Sequence, residues 1–269
     1  MEKEAHLLGW FRAQGSALIG FSGGVDSAYL ACIALEAVGP ARCLAVIGRS
    51  ASYPAVQWEK ARAVADRFGI PVHEVDTEEL ADPRYAANPT NRCYFCKSEL
   101  WTRLVPIAQA RGLAVVVDGT NADDRHDHRP GARAAAEQGV RSPLAELTKA
   151  EIRAASAARG IPTWDQPASP CLSSRLPYGT EVTPLRLRVV ESAEAAVRAL
   201  GVTGNLRVRY FGERARVELD AEALAHWSAE PARGALETAV RAAGFTEVEL
   251  QGFRSGALNI LAGVAGGAE

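Results

Sequence analysis

Two hydrophobic rhythms run along the chain. Ala17-Leu18-Ile19-Gly20-Phe21 is one continuous apolar run, and residues 42–48 (Arg-Cys-Leu-Ala-Val-Ile-Gly) form a second. Between them, Ala28–Leu35 carries apolar residues at helical spacing. Over residues 54–68, Val56, Ala61, Val64, Ala65 and Phe68 recur with helical period, and Gly69 supplies a stop. Pro71–Val75 and Leu113–Val117 read as further strands, and residues 97–111 as a helix bent at Pro106. Leu7, Leu8, Trp10 and Phe11 fit one side of a short opening helix. Unbroken apolar strands alternating with helices predict a parallel sheet covered on both faces. Ligands of such sheets sit beyond the carboxyl ends of the strands, where residues 22–27 and Asp118-Gly119-Thr120-Asn121 both fall.

From about Thr183 the pattern changes. A helix-like stretch, Leu185–Leu200, precedes two short alternating strands, Leu206–Tyr210 and Ala215–Leu219, around Gly212. Two further helical patterns and a strand over Glu247–Leu250 follow, and Gly263–Glu269 reads as a frayed tail. The predicted architecture is an α/β parallel-sheet domain over 1–178 followed by a small α+β domain over 179–269, with Pro177-Tyr178-Gly179 as the boundary. The second domain is expected to serve substrate binding or oligomerisation.

Composition narrows the function. With 48% apolar and 23% charged residues the chain reads as a soluble globular protein. A net charge of −2 offers no basic stripe, which argues against a nucleic-acid partner. Neither a signal peptide nor a bilayer-length apolar run is evident, so a cytoplasmic setting without membrane attachment is expected. There the five cysteines would be reduced and available for metal or catalysis.

The chemistry begins at Ser22-Gly23-Gly24-Val25-Asp26-Ser27, a strand-to-helix turn. Paired glycines let the backbone close around an anion, and helix-start amides with two serine hydroxyls supply donors for pyrophosphate. No Gly-Lys-Ser/Thr follows, so this is not the Walker pattern. Asp26 is placed to orient the loop or a divalent cation. Lys149 and Arg153 stand one turn apart near a predicted helix start, where surface pairing with Glu151 is one reading of them. Cys93-Tyr94-Phe95-Cys96 brings two thiols to one centre, and Cys171 lies in a turn-rich loop. The spacing alone leaves redox use, zinc, an iron–sulfur cluster and simple packing open, whereas Cys32 and Cys43 fall on core-facing positions. Lys97 follows the second cysteine and could neutralise phosphate or cluster charge. The polar run Asp123, Asp124, His126, Asp127, His128 reads as a solvated loop. Arg207 and Arg209, two apart on a strand, share one face and, with Arg254, suit phosphate and carboxylates.

Ser22–Ser27 resembles the loop of the PP-loop ATP pyrophosphatase superfamily, which cleaves ATP to AMP and pyrophosphate. Taken with Asp127-His128-Arg129-Pro130-Gly131, Ser173-Ser174-Arg175-Leu176-Pro177-Tyr178-Gly179 and Gly252-Phe253-Arg254-Ser255-Gly256, nearly the whole chain resembles the ATP-dependent sulfur transferase (LarE) family. The resemblance implies that the carboxylates of a pyridinium-3,5-dicarboxylate mononucleotide are adenylated and converted to thiocarboxylates for the nickel-pincer nucleotide cofactor. It implies ATP and Mg2+ at Ser22, Gly23, Gly24, Asp26, Ser27, Gly119, Arg129 and Lys149. Arg207, Arg209 and Arg254 would face substrate, and Glu194 and Glu218 would stand near the catalytic centre or on magnesium. His226 stands where a further acidic residue is expected. One branch of the family gives up the sulfur of a cysteine at the position of Cys171. The other holds a [4Fe–4S] cluster on three cysteines, matched here by Cys93, Cys96 and Cys171, and this is the favoured reading. A homo-oligomer, with a hexamer as the candidate state, and an unidentified sulfide donor are also implied. The rivals are sacrificial donation from Cys171, a tRNA-thiolating enzyme, an amide- or nitrile-forming relative and a non-catalytic nucleotide sensor.

Overall fold

The computed structural model describes residues 2–126 and 130–263. Asp127, His128 and Arg129 and most of the tail lie outside the described residues. The chain divides into two compact units, one from Met1–Glu79 and Asn91–Ser169, the other from Leu80–Thr90 and Pro170–Glu269. In chain order the first unit carries α1 (Glu2–Gln14), β1 (Ala17–Gly20), α2 (Val25–Val38), β2 (Cys43–Arg49), α3 (Ala55–Phe68) and β3 (Val72–Asp76). The chain then enters the second unit for the short α4 (Pro83–Ala86) and returns for α5 (Arg92–Ala110), β4 (Val115–Val117), α6 (Pro130–Glu137) and α7 (Lys149–Ala158).

The sheet of the first unit is four-stranded and parallel, in the order β3-β2-β1-β4. Successive residues of a strand point to opposite faces. Ala17 and Ile19 pack with α1, α2 and Ile152 of α7, whereas Leu18 meets Trp101 and Leu104 of α5 and Ala134 and Ala135 of α6. Both faces are therefore covered, which is why these strands read as unbroken apolar runs. Gly20 has a steric reason: a Cβ there would lie 2.6 Å from the Trp101 ring. Gly69 closes α3 in the left-handed conformation at φ 66°, returning its N–H to the Ala65 carbonyl. α5 begins at Arg92, five residues before the predicted helix, with Asn91 as its N-cap.

The second unit continues with α8 (Pro184–Ala199), β5 (Leu206–Phe211), β6 (Arg214–Leu219), α9 (Ala221–Trp227), α10 (Ala232–Ala242), β7 (Glu247–Gly252) and α11 (Ala257–Leu261). β5 and β6 are antiparallel, and β7 joins β6 in parallel. The 80–90 excursion is stitched into this unit by main-chain bonds from Val182 N to Ala86 O (2.8 Å) and Gly179 N to Asn88 O (2.9 Å). Asn88, at φ 54°, also donates its amide to the Pro177 carbonyl (2.8 Å). Among the described residues, no helix is long and apolar enough to cross a membrane.

The start of α7 is a capping box. Thr148 Oγ1 accepts from Glu151 N (3.2 Å), while Glu151 accepts from Thr148 N (2.8 Å) and from Lys3 Nζ (2.7 Å). Lys3 first, then the Thr148 N–H, holds the Glu151 carboxyl at about 2, below its ordinary 4.5. A depressed carboxyl stabilises the fold fully above about pH 4.5 and loses that contribution as pH falls toward 2. Glu151→Gln should therefore be less stable than wild type near neutrality, and the gap should close across that acid window in urea denaturation.

Candidate active site

The Ser22–Ser27 loop ties down its own atoms and leaves the start of α2 open. Ser27, nearly buried, accepts from Ser22 N (3.2 Å), donates to the Gly24 carbonyl (3.2 Å) and lies 3.1 Å from the Ser22 hydroxyl. Gly24 is the N-cap of α2 and no side chain caps the helix. A Cβ on Gly24 would find only the Ser22 hydroxyl, at 3.5 Å. The helix-start amides thus face a cradle that a side chain would otherwise fill, which fits the phosphates of ATP. Gly23 is required for two reasons: its φ is +70°, and an added Cβ would sit 2.5 Å from Ala61 Cβ and 2.7 Å from Ala61 Cα on α3.

The carboxyl end of β4 meets this loop. A Cβ on Gly119 would come within 3.1 Å of both Asp26 Cβ and Ser27 N, so only glycine lets the two segments approach so closely. Asp26 forms an ion pair with Lys149 and accepts from Asn121 Nδ2 (3.3 Å). Lys149 N donates to Asp123 Oδ2 (2.8 Å), which fixes the first residue of α7 beside the 118–124 turn. Asp118 accepts from Ser142 Oγ (2.7 Å) and from Thr120 N (3.1 Å) and Oγ1 (3.0 Å). Ser22, Gly23, Gly24, Asp26, Ser27, Gly119 and Lys149 are therefore brought together. Arg153 is engaged elsewhere, donating to the carbonyls of Trp164 (2.8 Å) and Gln166 (2.7 Å). Arg129 lies outside the described residues.

In the second unit, charged side chains are buried together. Arg175 forks onto Glu194 (2.8 and 2.9 Å) and reaches the carbonyls of Pro170 (2.5 Å) and Cys171 (3.2 Å). Ser174 adds a hydroxyl bond to the Cys171 carbonyl (2.7 Å), and Tyr85 of the 80–90 excursion pairs with the Ser173 hydroxyl (2.6 Å). The backbone of the Cys171 loop is thus held from several directions. Arg209 forks onto Glu218 Oε2 (3.0 and 2.7 Å) and donates to the Ser174 carbonyl (2.9 Å). Glu194 also accepts from Val208 N (3.0 Å).

Arg207 stacks over Phe253 (5.5 Å to the ring centre) and donates to the Leu206 carbonyl (2.7 Å). Burial first, and then the neighbouring Arg175, pushes the Arg207 guanidinium down to about 10. Three buried guanidiniums, Arg175, Arg207 and Arg209, accompany two buried or nearly buried carboxylates, Glu194 and Glu218. Such a set favours an anion. Both carboxylates are engaged by arginine, so a magnesium role would require them to exchange partners. Arg254 is exposed in the turn after β7.

The cysteines divide as expected for the core pair: Cys32 and Cys43 are buried, and burial pushes their thiols up to about 11 and about 12. Cys93 and Cys96 stand three residues apart near the start of α5, hence on one side of it, with Cys93 exposed and Cys96 half-buried. Cys171 is half-buried in the second unit. Accessible thiols of this kind suit a soft metal centre. Among the described residues, however, no group of three or more His, Cys, Asp or Glu side chains stands ready to hold a metal ion. Lys97 lays its ammonium over Trp101, 5.4 Å from the ring centre.

Tyr53, Gln57 and Tyr85 carry no signal in the sequence, because each acts through a hydrogen bond to a residue more than about thirty positions away. The Thr148–Glu151 spacing was a legible capping-box signature. Arg175 belongs to the Ser173–Gly179 motif, which by itself assigns it no role.

The NAD synthase family profile matches residues 11–104. An uncharacterized protein of Synechocystis sp. is 44% identical over 96% of this chain and 97% of its own length. Pyridinium-3,5-bisthiocarboxylic acid mononucleotide synthase of Lactiplantibacillus plantarum is 33% identical over 96% of this chain and 94% of its own length. Among solved structures, NMN synthetase from Francisella tularensis shares the fold, with a TM-score of 0.52 at 19% identity over 62% of this chain and 74% of that one.

Two substitutions test these placements. Gly23→Ala should abolish ATP-dependent pyrophosphate release, because its Cβ meets the backbone of α3. Arg175→Ala should lower unfolding free energy by about 3–5 kcal/mol, since Glu194 would be left without its buried partner; chemical denaturation reads this directly.

Proposed function

The chain belongs to the LarE family of PP-loop ATP-dependent enzymes, and on that premise we propose that it is a sulfur transferase acting on pyridinium-3,5-dicarboxylate mononucleotide. The observation that carries this reading is the open, uncapped start of α2 beside Asp26 and Lys149, together with the buried arginine set around the Cys171 loop. A carboxylate is a poor electrophile until it gains a leaving group. In the proposed first step, a substrate carboxylate oxygen attacks the α-phosphorus of ATP, the bond to the β-phosphate breaks, and pyrophosphate departs toward the α2 amides and Lys149. Asp26 would hold Mg2+, which neutralises phosphate charge when bound. Arg207 and Arg209 would take the substrate's phosphate or carboxylate, which their forked donors suit. A sulfur nucleophile then attacks the acyl carbon, and AMP leaves with the carboxylate oxygen to which it was joined.

For the sulfur, we favour a [4Fe–4S] cluster held by Cys93, Cys96 and Cys171, which would supply sulfide when loaded. The support is the kind and accessibility of the three thiols. A second reading, sacrifice of the Cys171 sulfur, draws on a half-buried thiol whose loop is held through its backbone carbonyls. In that case the thiolate of Cys171 displaces AMP, and loss of its Cα proton releases the thiocarboxylate and leaves dehydroalanine. A homo-oligomer, with a hexamer as the candidate state, and a separate sulfide donor complete the proposal.

Pyrophosphate release from ATP should depend on the pyridinium dicarboxylate mononucleotide; dependence on tRNA instead would overturn the substrate assignment. Anaerobically purified protein should be brown and carry iron and acid-labile sulfide, both lost on replacing Cys93 and Cys96 with alanine. Colourless, fully active protein whose Cys171 loses hydrogen sulfide in mass spectra would decide for sacrifice.

A further inference from the structure

The Ser22 carbonyl, at the entrance of the nucleotide loop, accepts two side-chain hydrogen bonds from one neighbouring segment. Gln57 Nε2 donates at 2.9 Å and Tyr53 Oη at 3.0 Å. Gln57 is only 4% exposed, and burial first, then the Glu74 carboxylate, pushes the Tyr53 phenol up, so it remains a donor. In a planar trans peptide the C=O and the following N–H point in opposite directions. A carbonyl held toward Gln57 and Tyr53 therefore turns the Gly23 N–H away from them. We propose that Gln57 and Tyr53 are positioning residues that lock the Ser22–Gly23 peptide so that its N–H, and not its carbonyl, faces pyrophosphate. This inference rests on the reading of the loop as an ATP site.

The lock is needed because Gly23 has no side chain to hinder a peptide flip, and a flipped plane would aim a carbonyl oxygen at phosphate oxygens. Nor is the Tyr53 turn left loose. Ser50 Oγ (2.5 Å) and Ser52 Oγ (2.8 Å) both donate to Glu79 Oε1, and Tyr53 N donates to the Ser50 carbonyl (3.1 Å). Glu79 is 2% exposed, and its second oxygen has no hydrogen-bond partner. A buried carboxylate kept on two serines is a costly brace, and it acts on the turn that carries Tyr53. Glu79 is thus a positioning residue at one further remove.

The test compares magnesium pyrophosphate with AMP as ligands in isothermal titration, using wild type, Tyr53→Phe, Gln57→Leu, Gln57→Glu and the Tyr53→Phe/Gln57→Leu double variant. Loss of both donors should weaken pyrophosphate about tenfold or more and leave AMP within about twofold. Gln57→Glu, similar in size but unable to donate when ionised, should behave like Gln57→Leu. Unchanged pyrophosphate affinity would overturn the proposal. So would parallel weakening of both ligands, the mark of a merely structural role. Wild type that binds neither ligand would overturn the ATP reading itself, and this inference with it.

Discussion

The first amides of α2 have no side-chain cap, because the N-cap residue is Gly24. A helix start left open in this way is unfavourable until an acceptor arrives, and much of the first unit holds that start in shape. Ser27 ties the loop from inside, Gly119 and Asn121 close it from the end of β4, and α3 presses against Gly23 through Ala61. Lys149 adds a cation at the same mouth, held meanwhile by Asp26. The parallel sheet serves this arrangement by delivering β1 and β4 side by side, so that both motifs emerge at the same edge.

The second unit solves a different problem, that of keeping charge in a nearly dry place. Arg175 and Arg209 each have a carboxylate and at least one backbone carbonyl, so their donors are met by fixed partners. The lowered affinity of Arg207 for its proton reports its burial first, and after that the crowding of positive charge by nearby Arg175. An incoming anion would relieve that crowding, which gives a physical reason for arginines on a strand whose sequence could equally have been a solvated outer face.

Holding the Cys171 loop by its carbonyls, and not by its thiol, leaves the sulfur as the chemically available part of the segment. The contrast with Cys32 and Cys43 is direct: burial suppresses thiolate formation there and makes them packing residues. Cys93 and Cys96 gain their common side from the helix beginning at Arg92, a boundary the apolar period did not reveal because the first turn of α5 is polar and aromatic.

What the sequence determined by itself was local. Unbroken apolar runs marked β1, β2 and β4, and glycine pairs before a helical period marked the loop. Cysteines within apolar stretches read as core. These signals are legible because backbone geometry imposes fixed periods and fixed turn chemistry on neighbouring residues. Only the tertiary structure decided which polar groups meet. It buried Arg209 against Glu218 and the Ser174 carbonyl and Arg207 over Phe253, sent residues 80–90 into the second unit, and aimed Gln57 and Tyr53 at the Ser22 carbonyl. Such meetings depend on how faces pack across dozens of residues, and a single buried hydrogen bond leaves no period in the chain for a reader to find.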